Sequence, residues 1–218
     1  MKTLIKIIIS SSIFSLTFCS TEKNKNIEEK KLLLPVIGEK KISKVGDKVD
    51  TIYHTIGSFT LTNQFNETIT DSVTKNKIYV ADFFFATCQS ICPKMSHQLR
   101  RVQDTFLSKE DFLILSHTVN PEHDNTEVLK TYGDKYGAVK GKWHLLTGDK
   151  KQIYDLARFH YLVNADETEG EGDLFIHSEL FLLIDKDKRI RGIYDGTDSL
   201  QVNQLIKDIR LLDKEYQQ

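Results

Sequence analysis

The chain has 218 residues, of which 39% are hydrophobic and only three are proline, so it can form one domain with a sizeable hydrophobic core plus appendages. Its formal net charge of −1 argues against the basic surface that nucleic-acid-binding proteins use, and we expect no nucleic acid partner.

The first 18 residues predict a signal peptide for export. Lys2 and Lys6 flank the start of an apolar run that is too short for a full membrane span. The next segment, Leu16-Thr17-Phe18-Cys19, resembles a bacterial lipobox, in which the cysteine carries the lipid and becomes the mature N-terminus. Cys19 is therefore the candidate lipidation site, and its use would leave an even pair among the three cysteines. Because Phe18 is bulkier than the small residue usual there, plain secretion without lipidation stays open.

Residues 19–48 are predicted to be a flexible tether, and residues 49–216 the folded domain. Between Ser20 and Lys31 the chain is rich in Lys, Asn and Glu and almost lacks apolar residues, so it cannot bury enough surface to offset chain entropy. Residues 33–72 alternate short apolar runs with turn residues, which predicts short strands and hairpins ahead of the main sheet. We expect His54, in this region, to have a surface or core role.

An apolar strand over residues 78–85 runs directly into a segment that contains two cysteines. Its continuous run of β-branched and aromatic residues predicts a central strand covered on both faces. Pro93 suits the first turn of a helix that follows, and apolar residues at helical spacing give that helix one buried face: Met95, Leu99, Val102 and Phe106. Cys88 and Cys92 therefore lie at or just before a helix N-terminus, with both sulfurs able to point to the same side.

The rest of the chain alternates strands and helices. Strands are expected over residues 112–119 and 143–147, a helix capped by Asp124 or Asn125 ends at Gly137, and Asp149 can cap a third helix. An acidic segment over residues 166–173 is predicted to be a solvated loop, with a basic partner as the alternative. A hairpin over residues 181–194 precedes a closing helix, which Asp198 or Ser199 can cap. Apolar residues at helical spacing give this helix one apolar face: Leu200, Leu205, Ile206, Ile209 and Leu212.

The order after the N-terminal strands is thus β-α-β-α-β-α-β-β-α. This order predicts an α/β protein of thioredoxin-like fold, with a central mixed sheet, flanking helices and an N-terminal β extension. Such a fold puts the strand-to-helix turn at the carboxyl edge of the sheet, where functional sites lie.

The position of the two cysteines favours thiolate chemistry. Free N–H groups and the positive end of the helix dipole stabilise a thiolate and lower the cysteine pKa. Cys88 and Cys92 can share one metal ion or form one disulfide. Cysteine is often buried for packing alone, but two of only three cysteines in this arrangement make the inert interpretation the weaker one.

The segment Phe83-Phe84-Phe85-Ala86-Thr87-Cys88-x-x-x-Cys92-Pro93 resembles the copper-site motif of the Sco/SenC family of thioredoxin-like copper chaperones. Residues 116–124 and 143–148 resemble two further stretches of that family, and the resemblance covers about residues 50–213. It implies that His177 is a third copper ligand beside Cys88 and Cys92. Gln89 and Asn120 depart from the proline and aspartate usual in the family, but neither change removes a ligand.

The resemblance implies a protein that inserts copper into, or maintains the thiols of, the binuclear copper centre of cytochrome c oxidase. Two thiolates and one imidazole suit a copper ion, whereas zinc would want a fourth ligand or a water. The expected partner is the copper-centre subunit of the oxidase, with other periplasmic copper or thiol proteins as further candidates. The expected location is the periplasmic side of a membrane, through the lipid anchor.

The alternative function is that of a membrane-anchored thiol–disulfide oxidoreductase that uses Cys88 and Cys92 as a redox pair. Asp82 lies six residues before Cys88, where thioredoxins have a buried aspartate, although it can equally be a polar residue satisfied at a strand end. No proline follows Pro121 to supply the cis-proline of thioredoxins, and three residues rather than two separate the cysteines. These features favour copper binding over the redox function. We expect the histidines other than His177 to be structural.

Overall fold

The computed structural model describes residues 34–45, 48–163 and 178–217. Its strands are β1 (Lys40–Val45), β2 (Lys48–Tyr53), β3 (Thr60–Asn63), β4 (Thr68–Thr70), β5 (Ile78–Phe84), β6 (Phe112–Thr118), β7 (Trp143–Thr147), β8 (Leu180–Ile184) and β9 (Ile190–Asp195). Its α-helices are α1 (Ile91–Thr105), α2 (Thr126–Tyr136), α3 (Lys150–Asp155), which continues as a π-helical turn over Leu156–His160, and α4 (Ser199–Glu215).

Seven strands form one mixed sheet in the order β4-β3-β7-β6-β5-β8-β9. The three strands at its centre, β7, β6 and β5, are parallel, and antiparallel strands extend the sheet on both sides. All seven residues of β5 are buried, as the continuous apolar run predicted. The mixed α/β architecture and the order of elements are therefore confirmed.

Side-chain alternation along β5 divides the interior into two layers. Ile78 and Val80 face the layer formed with α1, α2 and α4, whereas Tyr79 and Ala81 face the layer that contains α3 and the N-terminal strands. Burial of apolar surface contributes about 25 cal/mol per Å², so burial on both faces holds β5 firmly in the sheet. The carboxyl end of β5 is thus a rigid base for the cysteine loop.

The helix boundaries are set by specific caps. The Asn125 side chain accepts hydrogen bonds from the backbone N–H groups of Glu127 and Val128, so Asn125 rather than Asp124 caps α2. Gly137 ends this helix with a φ of 72°, a conformation that glycine adopts without steric penalty. Asp149 and Asp198 cap α3 and α4, as expected.

One residue of the predicted apolar face of α4 is not buried. Leu200 is 74% exposed, because, at about 100° of helix rotation per residue, it lies on the opposite side of α4 from the buried Val202, Leu205 and Ile209. The prediction that Leu200 belongs to the buried face was therefore wrong, although the helix and its Asp198 cap are as expected.

The N-terminal β extension is confirmed as a separate two-stranded antiparallel sheet, β1–β2. Upstream of it, the Leu34 and Pro35 carbonyls accept hydrogen bonds from the buried Arg191 guanidinium, and Ile37 pairs with Ile190. The proposed division of the chain into signal, tether and domain stays a prediction, and residues 1–33 and the acidic segment lie outside the described ranges. Of the segment predicted as the tether, residues 34–45 contact β9 and form β1. Within those ranges, no helix has both the length and the hydrophobicity to cross a bilayer.

Candidate metal centre

The candidate site lies where β5 passes into α1. β5 ends at Phe84 and α1 begins at Ile91, so Cys88 belongs to the connecting loop and Cys92 to the first helical turn. The Cys88 N–H donates to the Phe85 carbonyl over 3.2 Å, which turns the loop back toward the strand. The two sulfurs interact with each other, as the sequence spacing predicted.

The two cysteines share a pocket of about 90 Å³ with an apolar wall. Cys92 is 3% exposed, whereas Cys88 is only partly buried and forms the solvent side of the pair. Both are free thiols. The other residues that line the pocket are Phe83, Phe84, Phe85, Ser90, Ile91 and Ser178.

The pKa of Cys88 is lowered from 9.0 to about 7. Partial burial works in the opposite direction, but hydrogen bonds from the Cys92 thiol and from the backbone N–H groups of Cys92 and Ser90 outweigh it. The Ser90 hydroxyl, whose Oγ lies 3.6 Å from the Cys88 sulfur, adds a further contact. Since Ser90 provides no side-chain cap to α1, the Cys88 sulfur takes up N–H groups that the first turn leaves free.

The pKa of Cys92 is raised to about 12. Burial is the main cause, and the hydrogen bond to Cys88 favours the protonated Cys92 thiol further. The pair therefore shares one proton near neutral pH, held on Cys92 and directed at the Cys88 thiolate. Any metal that binds both sulfurs must displace this proton.

Asp82 faces the same layer as Cys92, because it alternates with Val80 and Phe84 along β5. Burial raises the pKa of the Asp82 carboxyl to about 7, although the Ser116 hydroxyl donates a hydrogen bond that acts in the opposite direction. The Trp143 Nε1–H donates in turn to the Ser116 oxygen over 2.8 Å. The negative charge of an ionised Asp82 contributes to the raised pKa of Cys92, so the two groups are electrostatically coupled.

Two candidate site residues, His177 and Cys19, lie outside the described ranges. Ser178, the residue after His177, lines the same pocket as Cys88 and Cys92. Among residues 34–45, 48–163 and 178–217, no cluster of three or more His, Cys, Asp or Glu side chains could hold a metal ion. The described chain thus supplies two sulfur donors, and the third ligand stays a prediction.

The other described histidines have contacts that support structural roles. Burial lowers the pKa of His117 to about 4, so its ring is neutral in the interior. Burial also lowers the pKa of His144 below its ordinary value. His54 bonds to the His160 carbonyl, and His160 accepts the Gly57 N–H.

One functional group beside the cysteine loop, the Asp124 carboxylate, was not identified as part of the site from the sequence. The Asp124 carboxylate, which is fully buried, accepts a hydrogen bond from the Ala86 N–H over 2.9 Å. Asp124 had been considered as a helix cap and as part of the stretch 116–124 that resembles the family, with no role at the site assigned to it. The signal available in the sequence was its place after β6, because neighbouring parallel strands end at the same edge of a sheet.

Comparison with known proteins assigns the family. The SCO1/SenC family model matches residues 48–212. The structure resembles a SCO1/SenC family lipoprotein from Bacillus anthracis str. Ames, with a TM-score of 0.66 and 29% identity over 73% of this chain and 95% of that chain. It also resembles BsSco, a member of the Sco family of cytochrome c oxidase assembly proteins in which a disulfide switch has been identified. The TM-score is 0.63, with 27% identity over 73% of this chain and 93% of that chain.

A third similar structure is copper-bound ScoI from Bradyrhizobium japonicum, with a TM-score of 0.60 and 22% identity over 72% of this chain and 99% of that chain. At this level of identity, the likeness concerns the fold alone. The fold of all these neighbours is the thioredoxin-like one that the order of elements predicted. Since the family model spans most of the chain and agrees with the site at the β5–α1 junction, the chain belongs to the SCO1/SenC family.

Proposed function

We propose that this protein is a copper metallochaperone that holds a copper ion through Cys88, Cys92 and His177. It delivers the ion to the binuclear copper centre of cytochrome c oxidase or maintains the thiols of that centre. The observation that carries the proposal is the pairing of Cys88 and Cys92 in one small pocket at the start of α1.

The chemistry of the two sulfurs suits copper. With a pKa of about 7, Cys88 is about half ionised at neutral pH, and this thiolate fraction can capture a soft metal ion without first losing a proton. Cys92 then exchanges its shared proton for the metal. Two thiolates satisfy Cu(I), which accepts a low coordination number, whereas a tetrahedral zinc site would need two more donors.

His177 completes the proposed set. Its neighbour in the chain, Ser178, lines the cysteine pocket, and this supports His177 as the third ligand. An imidazole favours Cu(II) more than Cu(I), and its presence would let the site hold both oxidation states.

The relatives support the partner and the location. BsSco is described as a cytochrome c oxidase assembly protein, the Bradyrhizobium protein holds copper and the Bacillus anthracis relative is a lipoprotein. We propose by analogy that the copper-centre subunit of the oxidase is the acceptor. We also propose that the protein is exported and anchored through lipid on Cys19, so that the domain reaches its partner at the membrane surface.

One observation favours a second candidate function, thiol–disulfide exchange. Cys88 is the accessible, more acidic thiol and Cys92 the buried one, which are the properties of an attacking and a resolving cysteine. Asp82, with a pKa of about 7 and coupled to Cys92, could accept the proton of the resolving thiol. The same pair could therefore reduce a partner disulfide.

A paired experiment separates the two functions. Copper titration and a disulfide-reduction assay are run on the unaltered protein, His177→Ala, Asp82→Asn and the control His97→Ala, which removes an exposed histidine of α1. We expect His177→Ala to weaken Cu(II) binding sharply and Cu(I) binding less, and to leave disulfide formation intact, because the imidazole takes no part in an S–S bond. Intact copper binding in His177→Ala, together with a strong reductase activity that is lost in Asp82→Asn, would refute the chaperone function in favour of the redox one.

The anchor has its own test. Mass spectrometry of the mature protein from a bacterial membrane fraction should show an acylated N-terminal Cys19, and Cys19→Ser should release the protein from the membrane. An unmodified N-terminus at another residue would disprove the lipid anchor without affecting the copper site.

A further inference from the structure

Asp124 has an unusual environment for a carboxylate. It is 0% exposed, and three donors converge on it: the Thr118 hydroxyl at 2.5 Å and the Ala86 N–H at 2.9 Å, both on Oδ2, and the His123 ring nitrogen Nδ1 at 2.8 Å on Oδ1. A buried carboxylate is costly unless donors replace its water. This one is tolerated because these three donors take the place of water.

The contact with Ala86 reaches the cysteine loop. Ala86 lies just beyond β5, two residues before Cys88. Its N–H belongs to no strand ladder, and Asp124 provides the hydrogen-bond partner for this half-buried backbone group. A side chain from the β6–α2 connection thereby fixes the first turn of the β5–α1 connection.

The β6–α2 connection is itself built to present this carboxylate. The Asn120 N–H donates to the Thr118 hydroxyl oxygen, and the Asn120 carbonyl accepts the N–H groups of His123 and Asp124 over 3.1 and 2.9 Å. The Val119 N–H donates to the Phe84 carbonyl, which joins the ends of the two strands. Asn125, not Asp124, caps α2, so the Asp124 side chain serves the cysteine loop and not the helix.

The opposite side of the cysteine loop is held by the backbone N–H of Cys88 and by the sulfur of Cys92. The Phe85 carbonyl accepts the Cys88 N–H, and the Phe85 backbone also hydrogen bonds with the Cys92 sulfur. Residues 85–88 are thus held between Asp124 and the first turn of α1. A change at Asp124 must alter how Cys88 is placed against Cys92.

We propose that Asp124 is the positioning residue of the cysteine pair: it fixes residue 86, and through it sets the separation and orientation of the Cys88 and Cys92 sulfurs. The inference deepens the proposed function, since correctly placed sulfurs are what a two-thiolate copper site requires. It does not depend on copper being the cargo, because a redox pair would need the same placement.

The structure distinguishes the hydrogen bond from the charge. In Asp124→Asn, an amide oxygen in the place of Oδ2 still accepts the Ala86 N–H and the Thr118 hydroxyl, and the amide nitrogen faces His123, whose other tautomer can accept. In Asp124→Ala no acceptor remains. The conservative variant should therefore rescue the function that the alanine variant loses.

Two readouts test the placement in purified, metal-free protein. The first is hydrogen exchange at the Ala86 amide. The second is the equilibrium in which the Cys88–Cys92 dithiol and oxidised glutathione give the protein disulfide and two reduced glutathione molecules. We expect Asp124→Ala to speed Ala86 exchange and to lower the disulfide equilibrium constant about tenfold, because a loosened loop lowers the effective concentration of one thiol at the other. Asp124→Asn should stay within about threefold of the unaltered protein.

The controls keep the test decisive. Glu122→Gln removes an acidic side chain of the same connection that is 74% exposed, and should change neither readout. If Asp124→Ala does not fold, Thr118→Val removes one partner of Asp124 with little change of shape and should shift both readouts in the same direction by a smaller factor.

An unchanged or raised equilibrium constant in Asp124→Ala or Thr118→Val, or an Asp124→Asn variant as impaired as Asp124→Ala, would overturn the positioning role. Copper titration of the same proteins is scored separately. If the unaltered protein fails to bind copper, the proposed function is refuted. The glutathione equilibrium still decides whether Asp124 positions the cysteine pair.

Discussion

Replacing the buried carboxyl of Asp82 should change how the stability of the fold depends on pH. Asp82 and His117 lie one register position apart on β5 and β6 but on opposite faces of the sheet, and both are fully buried in the interior. The His117 ring reaches the backbone carbonyl of Asp82, over 3.3 Å, and does not hydrogen bond with the Asp82 carboxyl. Their titrations should therefore affect unfolding as separate contributions.

The two contributions have opposite signs. Burial raises the pKa of Asp82 from 3.8 to about 7, so between these values the folded protein keeps a proton that the unfolded chain has lost, and stability falls as pH rises. Burial lowers the pKa of His117 from 6.5 to about 4, so the unfolded chain takes up a proton first, and stability falls as pH drops through this window.

The magnitudes follow from the shifts. At about 1.4 kcal/mol per pKa unit, Asp82 contributes a loss of about 4 kcal/mol on going from pH 4 to pH 7, and His117 a loss of about 3 kcal/mol on going from pH 6.5 to pH 4. In the unaltered protein, the opposite pH dependences of stability from Asp82 and His117 largely cancel. Asp82→Asn removes the Asp82 contribution and leaves that of His117.

Urea unfolding of reduced, metal-free protein at half-unit steps from pH 4 to 7.5 measures the effect. We expect Asp82→Asn to be more stable than the unaltered protein at pH 7.5, by up to about 4 kcal/mol, and to lose this advantage progressively as pH falls. Asp104→Asn, which alters an exposed aspartate of α1, should leave the shape of the profile unchanged. If the Asp82→Asn profile runs parallel to that of the unaltered protein between pH 4 and 7, the carboxyl does not retain its proton in the folded state and the reasoning fails.

Three further predictions follow from the same contacts. Cu(I) uptake by the thiols should release about one proton at pH 8, nearly all from Cys92, and about two at pH 6, where Cys88 is also protonated. Calorimetry in buffers of different ionisation enthalpy counts the released protons. A release that does not change with pH would contradict the pKa values assigned to the two cysteines. Ser90→Ala should raise the pKa of Cys88 by about half a unit, because the substitution removes only the weakest of the hydrogen bonds to the Cys88 sulfur. Thiolate absorbance at 240 nm measures this pKa. An unchanged pKa would show that the Ser90 hydroxyl does not donate to Cys88. On α4, Leu205→Ala should destabilise the protein by about 2–5 kcal/mol and Leu200→Ala by less than about 0.5 kcal/mol in urea unfolding, and equal effects would contradict the described packing.

The sequence predicted those features of the fold that depend on short-range patterns. The continuous apolar run of β5, the helical spacing of Met95, Leu99 and Val102 in α1, and the cap at Asp198 are each encoded within a few residues. Where two neighbouring residues had the same local chemistry, the sequence could not choose between them. Asp124 and Asn125 can both cap a helix, and only the path of the backbone directs one side chain to α2 and the other to the cysteine loop.

By itself, the sequence determined that two thiols lie at or just before the start of a helix. A spacing of four residues across a strand-to-helix junction allows both sulfurs to point to the same side, and the path of the loop that carries Cys88 decides that they meet. It also determined the family resemblance on which the copper ligands were predicted. The difference between the two thiols was decided only by tertiary structure, because the pKa of a cysteine depends on its desolvation and on the donors that surround it.

Packing of α1 on β5 buries Cys92 and leaves Cys88 at the solvent side, where backbone N–H groups stabilise its thiolate. The support from Asp124 is likewise a tertiary property, because its carboxylate and the Ala86 amide are 38 residues apart in the chain. They meet only because β5 and β6 are parallel neighbours that end at the same edge of the sheet.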